Sequence, residues 1–345
     1  METAGVQRDP RHKSRLSRKL MGMGMLAGTI ALATGVLATS SGATVTPAAS
    51  GTKTIEFIPT SAIPYFSSEY RGVQQEAAKY GYKTVEQAPS SDATFATQIT
   101  MVKTAVSNKV NGIILVPFDP TALVPPVKQA EAAGIPVIAT DSSLSPMVAK
   151  TFAAVNDVAA AEAVCKYAAL AVGKKGEYAI IDYNLSTTSG VDRYHGCLSA
   201  MKAYPGMKFE GIQTDNEVVS TALSETTTLL ERNPHIRVIF ACNDSSAVGV
   251  AEAVTRLKMQ DKVFVVAFDA DLGEVKYIKS GVVKASALQA PVTMGIDAVD
   301  ALHSLFSGKT IPKSIVIPYY LVTYKNYALP ASVAHIAQYV PGYKG

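Results

Sequence analysis

Short apolar runs and amphipathic stretches alternate along this chain from Lys53 onward, and this alternation restricts the fold more than any other feature. The run 112–116 is continuously apolar and ends at Pro117. Such runs are typical of strands buried on both faces, as in a parallel sheet that is covered by helices. The pattern therefore predicts an α/β fold with doubly wound parallel sheets.

The series of alternating strands and helices occurs twice, which divides the chain into two parts of similar size. The predicted strands are 54–59, 83–86, 112–116, 136–140 and 151–155 in the first part, and 178–182, 209–214, 238–241, 263–268 and 282–287 in the second. A helix at 294–306 and one strand at 315–321 follow, and the segment after Lys325 is expected to pack on the surface. Parts of about 100–150 residues can each bury a core, so two domains are predicted.

Residues 20–39 carry no charge and follow a basic segment, which is the pattern of a secretory signal. Small residues come next, as Ser41-Gly42-Ala43 or Thr46-Pro47-Ala48. We expect a signal peptide at residues 1–43 and a mature start near Thr44 or Ala49. A retained membrane span is the alternative, because twenty apolar residues are long enough to cross a bilayer.

The charge of the chain is balanced once this leader is set aside. Residues 1–43 hold six Lys/Arg and two Asp/Glu, which leaves 26 residues of each sign and argues against nucleic acid as a partner. The leader has no cysteine for a lipid anchor, so a free protein in the periplasm is expected.

The three cysteines of the chain leave two interpretations open. One is a bridge between Cys165 and Cys197, and the other, which is slightly favoured, is that Cys165, Cys197 and Cys242 are buried and unpaired.

Polar and aromatic residues follow nearly every predicted strand. In doubly wound sheets ligands bind beyond the carboxyl ends of the strands, so these positions form the candidate site. They include no His or Cys pair at the spacing of metal ligands, so neither a metal nor a cofactor is expected. The members are 59–66, Phe118, Asp119, Asp141, Ser142, Ser143, Tyr183, Asn184, Asn216, Glu217, Asn243, Asp244 and Asp269.

Several short segments carry a resemblance to a known family through their order and spacing. They are Ile63-Pro64-Tyr65-Phe66, Arg71-Gly72-Val73, 112–117, Gly134-Ile135-Pro136-Val137-Ile138 leading to Asp141, Asp192-Arg193, Ala241-Cys242-Asn243-Asp244, 265–269, Gln289-Ala290-Pro291, Met294-Gly295 and Leu321-Val322-Thr323. Over roughly residues 53–325 the chain resembles the type I periplasmic binding proteins of the ribose- and galactose-binding kind, which deliver sugars to ABC importers.

The resemblance implies two α/β lobes that are joined by three crossovers and close on a ligand by a hinge motion. The crossovers are expected near Val155-Asn156, Gln289-Ala290 and Pro318-Tyr319. The N-terminal lobe would hold residues 53–154 and 290–318. The C-terminal lobe would hold residues 156–288 and part of 319–345.

The resemblance also implies which residues contact the ligand. Carboxylates accept hydrogen bonds from two hydroxyl groups, Arg and Asn donate two at once, and an aromatic ring covers the apolar face of a sugar. Core packing is the alternative for Phe66, and helix capping is the alternative for Asp141, Asp269 and Asn243. The family's ligand positions, with Ser142 and Glu217 as two further cleft positions, map onto Tyr65, Phe66, Asp141, Ser142, Arg193, Glu217, Asn243, Asp269 and Gln289.

Three departures from the family pattern concern specificity. Ser142 stands where Arg is common, Ile63 where Asn is common, and Asn216-Glu217 where a stacking ring is common. We therefore expect a more acidic pocket than a ribose site, and weak binding of ribose. A sugar, a polyol and an amine-bearing polar solute all stay open as ligands.

The sequence thus predicts an exported solute-binding protein, not an enzyme, that delivers a sugar or polyol to the membrane permease of an ABC importer. A monomer is expected. A glycosidase is one alternative, because two carboxylates can act as acid and base, but no catalytic motif accompanies them. A receptor that presents its ligand for chemotaxis or quorum signalling is another. A sugar-responsive transcription regulator would need a helix-turn-helix segment ahead of Lys53, where the leader lies.

Overall fold

The computed structural model of the protein describes residues 51–90 and 94–345. The predicted signal peptide, residues 1–43, and its cleavage site lie outside the described residues. Within the described residues, no helix is both long and apolar enough to cross a membrane.

Strands and helices alternate through most of the chain, as the sequence predicts. Up to the first crossover the elements are β1 (Thr54–Ile58), α1 (Pro64–Lys79), β2 (Lys83–Glu86), α2 (Phe95–Ser107), β3 (Gly112–Leu115), α3 (Val124–Ala132), β4 (Val137–Thr140) and β5 (Thr151–Ala154). The second part holds α4 (Asp157–Ala171), β6 (Lys175–Asp182), α5 (Thr188–Lys202), β7 (Gly206–Thr214), α6 (Val219–Arg232), β8 (Ile236–Ala241), α7 (Asp244–Arg256), β9 (Phe264–Phe268), α8 (Leu272–Ser280) and β10 (Val283–Leu288). The last elements are α9 (Pro291–Phe306), β11 (Ser314–Val316), β12 (Tyr320–Thr323) and α10 (Pro330–Tyr339).

The strands form two six-stranded sheets, one in each of two lobes. The sheet of the first lobe has the order β11-β5-β4-β3-β1-β2, and all its strand pairs are parallel. The sheet of the second lobe has the order β12-β10-β9-β8-β6-β7, in which only β12 runs antiparallel to its neighbour. The predicted fold class is confirmed.

The central strands are covered by helices on both faces, which explains their near-continuous apolar sequence. In the first lobe Phe57, Ile114 and Ile138 lie in register on adjacent strands and have no exposed surface. Burying a side chain of this size stabilises the fold by about 1.5–3 kcal/mol. Since the faces are apolar and covered, the polar side chains collect beyond the carboxyl ends of the strands.

Two glycines let α1 and α9 approach each other closely on the first lobe. A Cβ atom on Gly72 would lie 2.1 Å from the carbonyl oxygen of Val292, and one on Gly295 would lie 2.2 Å from the carbonyl oxygen of Glu69. Both distances are far below van der Waals contact, so neither position admits a larger residue without backbone movement. This close packing fixes the position of α1, whose first turn faces the cleft between the lobes.

The last part of the chain differs from the sequence prediction in two respects. The predicted strand 315–321 is wrong: the chain leaves the first sheet after β11, passes Pro318, which has no N–H to donate, and enters the second sheet as β12. The segment after Lys325 packs on the surface as predicted, but it does so as a helix with one buried face. Ser332, Ile336 and Tyr339 are buried, and α10 packs on α1, α9 and β12. Their spacing of four and three residues places them on one helix face.

Cys165 and Cys197 form a disulfide that joins α4 to α5, and Cys242 is free and buried. The slightly favoured interpretation of three unpaired cysteines is therefore wrong, because α4 and α5 pack directly against each other. Cross-linking two residues 32 positions apart stabilises the folded state by about 3–4 kcal/mol. A disulfide also fits an oxidising compartment.

Candidate ligand-binding site

The nine residues that the sequence singles out as ligand contacts come together between the carboxyl ends of the two sheets. Five further residues, Thr60, Ile63, Tyr183, Thr187 and Ser189, complete the lining of the same cavity, which has a volume of about 20 Å³. The nine are Tyr65, Phe66, Asp141, Ser142, Arg193, Glu217, Asn243, Asp269 and Gln289.

Helix α1 presents Tyr65 and Phe66 in its first turn, which begins at Pro64. The Tyr65 hydroxyl donates to Oδ1 of Asp141 at 3.1 Å. Burial, followed by the Asp141 carboxylate, raises the pKa of Tyr65 well above its usual value, so the phenol stays protonated and donates. Phe66 packs edge-on against Tyr65, with ring centroids 5.1 Å apart. It lines the cavity and also belongs to the core, so core packing holds, and its contact with a ligand stays a prediction.

Asp141 and Asp269 occupy equivalent positions in the two lobes, directly after β4 and β9. Both have a left-handed backbone, with φ of 58° and 76°, which costs a residue with a side chain about 1–2 kcal/mol. Their N–H groups donate to Ala153 and Ala287 on the neighbouring strands, at 3.1 and 2.9 Å. The capping interpretation is wrong for both, since no helix follows Asp141 directly and Asp271 caps α8. The tight turns place both carboxylates in the cleft.

Arg193 is buried on α5 and reaches three other elements. Its Nε donates to Oδ1 of Asp157 at 2.7 Å, and its Nη1 donates to the carbonyl oxygen of Cys242 at 3.0 Å. The guanidinium carbon lies 3.9 Å from the centroid of the Phe268 ring, a cation–π contact. These contacts hold the guanidinium plane in one orientation toward the cleft.

Three carboxylates surround this single guanidinium. Arg193 lies 3.7 Å from Asp141 in the first lobe and 3.7 Å from Asp269 in the second, in addition to its bond to Asp157. Burial alone would lower the pKa of Arg193, but the carboxylates, Asp157 first, raise it well above its usual value. Acceptors therefore outnumber donors here, which suits a ligand with several hydroxyl groups. Within the described chain, no cluster of His, Cys, Asp and Glu could hold a metal ion.

The side chain of Asp269 accepts hydrogen bonds from Gln289, in the crossover between β10 and α9, and from Tyr339 of α10. The amide of Gln289 donates to its Oδ1 at 3.0 Å, and the hydroxyl of Tyr339 donates to the same oxygen at 2.9 Å. Burial raises the pKa of Asp269 to about 6, although Arg193 and these two donors lower it. The Oε1 atom of Gln289 is buried, and none of the described residues donates to it. That oxygen is therefore suited to accept from a ligand hydroxyl.

Asn243 has two functions in the structure. Its Oδ1 accepts from the Ser246 N–H at 2.8 Å, which caps α7, so the capping interpretation holds. The side chain is also buried in the cavity wall. Capping uses the amide oxygen and leaves the amide N–H groups as donors for a ligand.

Hydrogen bonds across the cleft bring the two lobes into a closed arrangement. The hydroxyls of Ser142 and Ser189 lie 2.6 Å apart, and the Ser143 N–H donates to Oγ1 of Thr188 at 2.7 Å. Each pair joins the loop after β4 to the first turn of α5. The position that departs from the family pattern, Ser142, thus forms part of the contact between the lobes.

Glu217 lies at the mouth of the cleft and accepts a hydrogen bond from the Ser61 hydroxyl of the opposite lobe. Burial raises the pKa of Glu217 to about 7, although the Ser61 hydrogen bond lowers it. The residue also lines an outer cavity of about 360 Å³, whose other walls are mostly hydroxyl and amide side chains with Phe118 and Tyr183. A carboxylate, and not an aromatic ring, therefore forms this part of the wall.

Four residues around the site, Asp157, Thr187, Ser189 and Tyr339, were missed in the sequence, whereas Tyr183 was among its candidates. Tyr183 follows β6 directly, so the strand-end rule includes it without assigning it a contact. Ser189 bonds to the Tyr183 hydroxyl at 2.6 Å, and Asp157 follows the first predicted crossover. Neither has a local signal that separates it from an ordinary residue at a helix start. Tyr339 meets partners 50 and 70 positions away, which no local pattern shows.

Known proteins resemble this chain over most of its length. Residues 57–310 match the family described as periplasmic binding protein domain. The D-apiose import binding protein of Actinobacillus succinogenes is 30% identical over 243 residues, which cover 70% of this chain and 77% of the relative. The D-allose-binding periplasmic protein of Escherichia coli is 27% identical over 264 residues, covering 74% and 85%.

A solved structure shares the arrangement of both lobes. The ABC transporter solute-binding protein from Agrobacterium vitis with bound D-fucose has a TM-score of 0.78 and 29% sequence identity, and it covers 81% of this chain and 98% of that chain. The family match at residues 57–310 spans elements of both lobes and stops before α10.

Proposed function

Because this chain belongs to the periplasmic binding protein family, we propose that it captures a sugar between its two lobes and delivers it to an ABC importer. The relatives described above are binding proteins whose names or bound ligands are sugars. The proposed ligand is a monosaccharide or a related polyol, and the proposed role is binding without catalysis.

The observation that carries this proposal is the position of Arg193 between Asp141 of one lobe and Asp269 of the other. A hydroxyl group placed here can accept from the guanidinium and donate to a carboxylate. Tyr65 and Phe66 add apolar surface beside these groups. A ligand that contacts both carboxylates joins the lobes, so binding and closure are coupled.

We propose the three predicted crossovers, near residues 155–156, 289–290 and 318–319, as the hinge of this closure, with the lobe boundaries predicted from the sequence. We also propose that residues 1–43 direct export and are removed, and that the mature protein acts as a monomer in the periplasm with a membrane permease as its partner. The disulfide between Cys165 and Cys197 supports an oxidising compartment.

The proposal is tested by thermal unfolding of the mature protein with D-apiose, D-allose, D-fucose and D-ribose. A sugar present at a hundred times its Kd should add about 2.7 kcal/mol to the free energy of unfolding. We expect D-ribose to give the smallest effect, because Glu217 stands where a stacking ring is common.

The matched variants are Asp269→Asn in the site and Asp261→Asn on the surface. The first should lose the stabilisation by sugar, and the second should keep it, because Asp261 is exposed and precedes β9, whereas Asp269 follows the other end of that strand. If none of the four sugars stabilises the wild-type protein at millimolar concentration, sugar capture by this cleft is wrong.

A further inference from the structure

The last helix of the chain contributes a group to the ligand-binding site from outside the region that matches the family. The family match ends at residue 310, whereas Tyr339 is the last residue of α10. The Tyr339 hydroxyl donates to Oδ1 of Asp269 at 2.9 Å and accepts from the Gln289 N–H at 2.8 Å. Two proposed ligand contacts thus share this one phenol.

The backbone around Tyr339 is bonded to the first lobe, whereas Asp269 belongs to the second. The Ser68 hydroxyl, on α1, donates to the carbonyl oxygen of Tyr339 at 3.2 Å, and the Arg71 guanidinium donates to the carbonyl oxygen of Gln338. The Thr293 N–H, on α9, donates to Oε1 of Gln338 at 3.3 Å. Since α1 and α9 cover the first sheet, the end of α10 is fixed to the first lobe while its phenol holds a carboxylate of the second.

We propose that Tyr339 is a positioning residue for ligand binding, which fixes the Asp269 carboxylate and the Gln289 backbone in the orientation in which they meet the ligand. The inference rests on the proposed function. Neither of the two cleft cavities has Tyr339 in its described lining, so the phenol acts through Asp269 and not by touching the ligand. With Oδ1 held by Tyr339 and Gln289, Oδ2 is the oxygen that faces Arg193.

The hydrogen bond from Tyr339 is one of the interactions that set the pKa of Asp269. Burial raises the pKa of Asp269, Arg193 and the donors Gln289 and Tyr339 lower it, and Asp141 raises it further. Loss of the phenol hydroxyl should therefore raise the pKa of Asp269. The other ionisable groups that interact with Asp269 are Tyr65, Glu217, Asp244 and Glu274.

The test compares Tyr339→Phe with Tyr343→Phe. Both changes remove one phenol hydroxyl from the same segment, but no described residue bonds to the Tyr343 hydroxyl. The pKa of Asp269 is measured in the ligand-free proteins by carboxyl carbon NMR, with the signal assigned through Asp269→Asn. Affinities for D-apiose, D-allose, D-fucose and D-ribose are measured by calorimetry across pH.

Tyr339→Phe should raise the pKa of Asp269 and weaken sugar binding about tenfold at pH 7. Sugar affinity should fall when Asp269 becomes protonated, so in Tyr339→Phe this fall should begin at a higher pH than in the wild type. Tyr343→Phe should match the wild type in both measurements. If Tyr339→Phe does not fold, Ser68→Ala, which releases the Tyr339 carbonyl but keeps the phenol, should shift both measurements in the same direction by less.

An unchanged pKa of Asp269 in Tyr339→Phe would overturn the inference, whether or not a sugar binds. A raised pKa with unchanged sugar affinity would overturn it as well. If the wild-type protein binds none of the four sugars, the proposed function fails, and the titration of Asp269 still decides whether Tyr339 positions the carboxylate.

Discussion

At the scale of single residues, Arg193 joins groups from four different elements. Its guanidinium binds Asp157 at the start of α4 and the Cys242 carbonyl after β8, and it lies 3.7 Å from carboxylates that follow β4 and β9. A ligand can accept hydrogen bonds only from those N–H groups of Arg193 that do not already donate to these partners. The same side chain therefore compensates buried negative charge in the protein before any ligand arrives.

Arg193→Ala should lower the free energy of unfolding of the ligand-free protein by about 3–5 kcal/mol, because it leaves buried carboxylates without their counter-charge. Urea unfolding measures this change. Arg256→Ala is the control: Arg256 is largely exposed and pairs with Glu252 within α7, so its loss should change stability by less than about 0.5 kcal/mol. Equal stabilities of the two variants would show that Arg193 is not required to balance these carboxylates.

The sequence predicts those site residues that lie at the ends of strands or in short family segments. Asp141 and Asp269 belong to both groups, so two independent arguments identify them. Asp157 and Tyr339 belong to neither, because their importance depends on contacts made only after the helices pack. The left-handed backbone of the two strand-end aspartates is also invisible in the sequence, since such turns more often contain glycine.

At the scale of elements, the contact between α1 and α9 sets the position of one wall of the cleft. Gly295 meets the backbone of α1 at Glu69, and the first turn of α1 carries Tyr65 and Phe66. The sequence predicts both helices, but it does not show that glycines set their separation. The break of the predicted strand 315–321 has a similar origin, because the sheet that each half joins depends on packing of the whole chain.

Gly295→Ala should destabilise the protein by about 1–3 kcal/mol, because the new methyl group overlaps the Glu69 carbonyl and forces the helices apart. The same displacement should weaken sugar binding by moving Tyr65. Gly51→Ala is the control, since a Cβ atom there meets nothing within 4 Å. Urea unfolding and calorimetry on both variants measure these effects. A Gly295→Ala protein with wild-type stability would mean that the two helices can separate without loss.

At the scale of the whole molecule, the arrangement of the two lobes brings ionisable groups of both together. Glu217 of the second lobe is half-buried and accepts a hydrogen bond from Ser61 of the first. Asp141 and Asp269 raise the pKa of Glu217 further, whereas Arg193 lowers it. We therefore expect the proposed closing of the lobes to be linked to binding of a proton at this carboxyl.

Acidification should favour the closed form of the ligand-free protein. The pKa of Glu217 is about 7 when the lobes are closed and about 4.3 when the carboxyl is in water. The closed form thus binds the proton more tightly, and this contribution is lost as the pH rises through about 7. Small-angle scattering should give a smaller radius of gyration at pH 5.5 than at pH 8.

Glu217→Gln removes the titrating group but keeps an acceptor for Ser61, so its radius of gyration should depend less on pH than that of the wild type. A wild-type radius that is the same at both pH values would show that closure does not involve protonation of Glu217.

Helix α10 lies near the end of the sequence, so Tyr339 is synthesised after the other residues of the candidate site. A ribosome completes β1–β10, with Asp141, Arg193 and Asp269, well before it reaches Tyr339. An unfinished chain thus has both carboxylates but lacks the phenol that holds one of them. If Tyr339 positions Asp269 as proposed, the candidate site is therefore complete only after α10 has been synthesised.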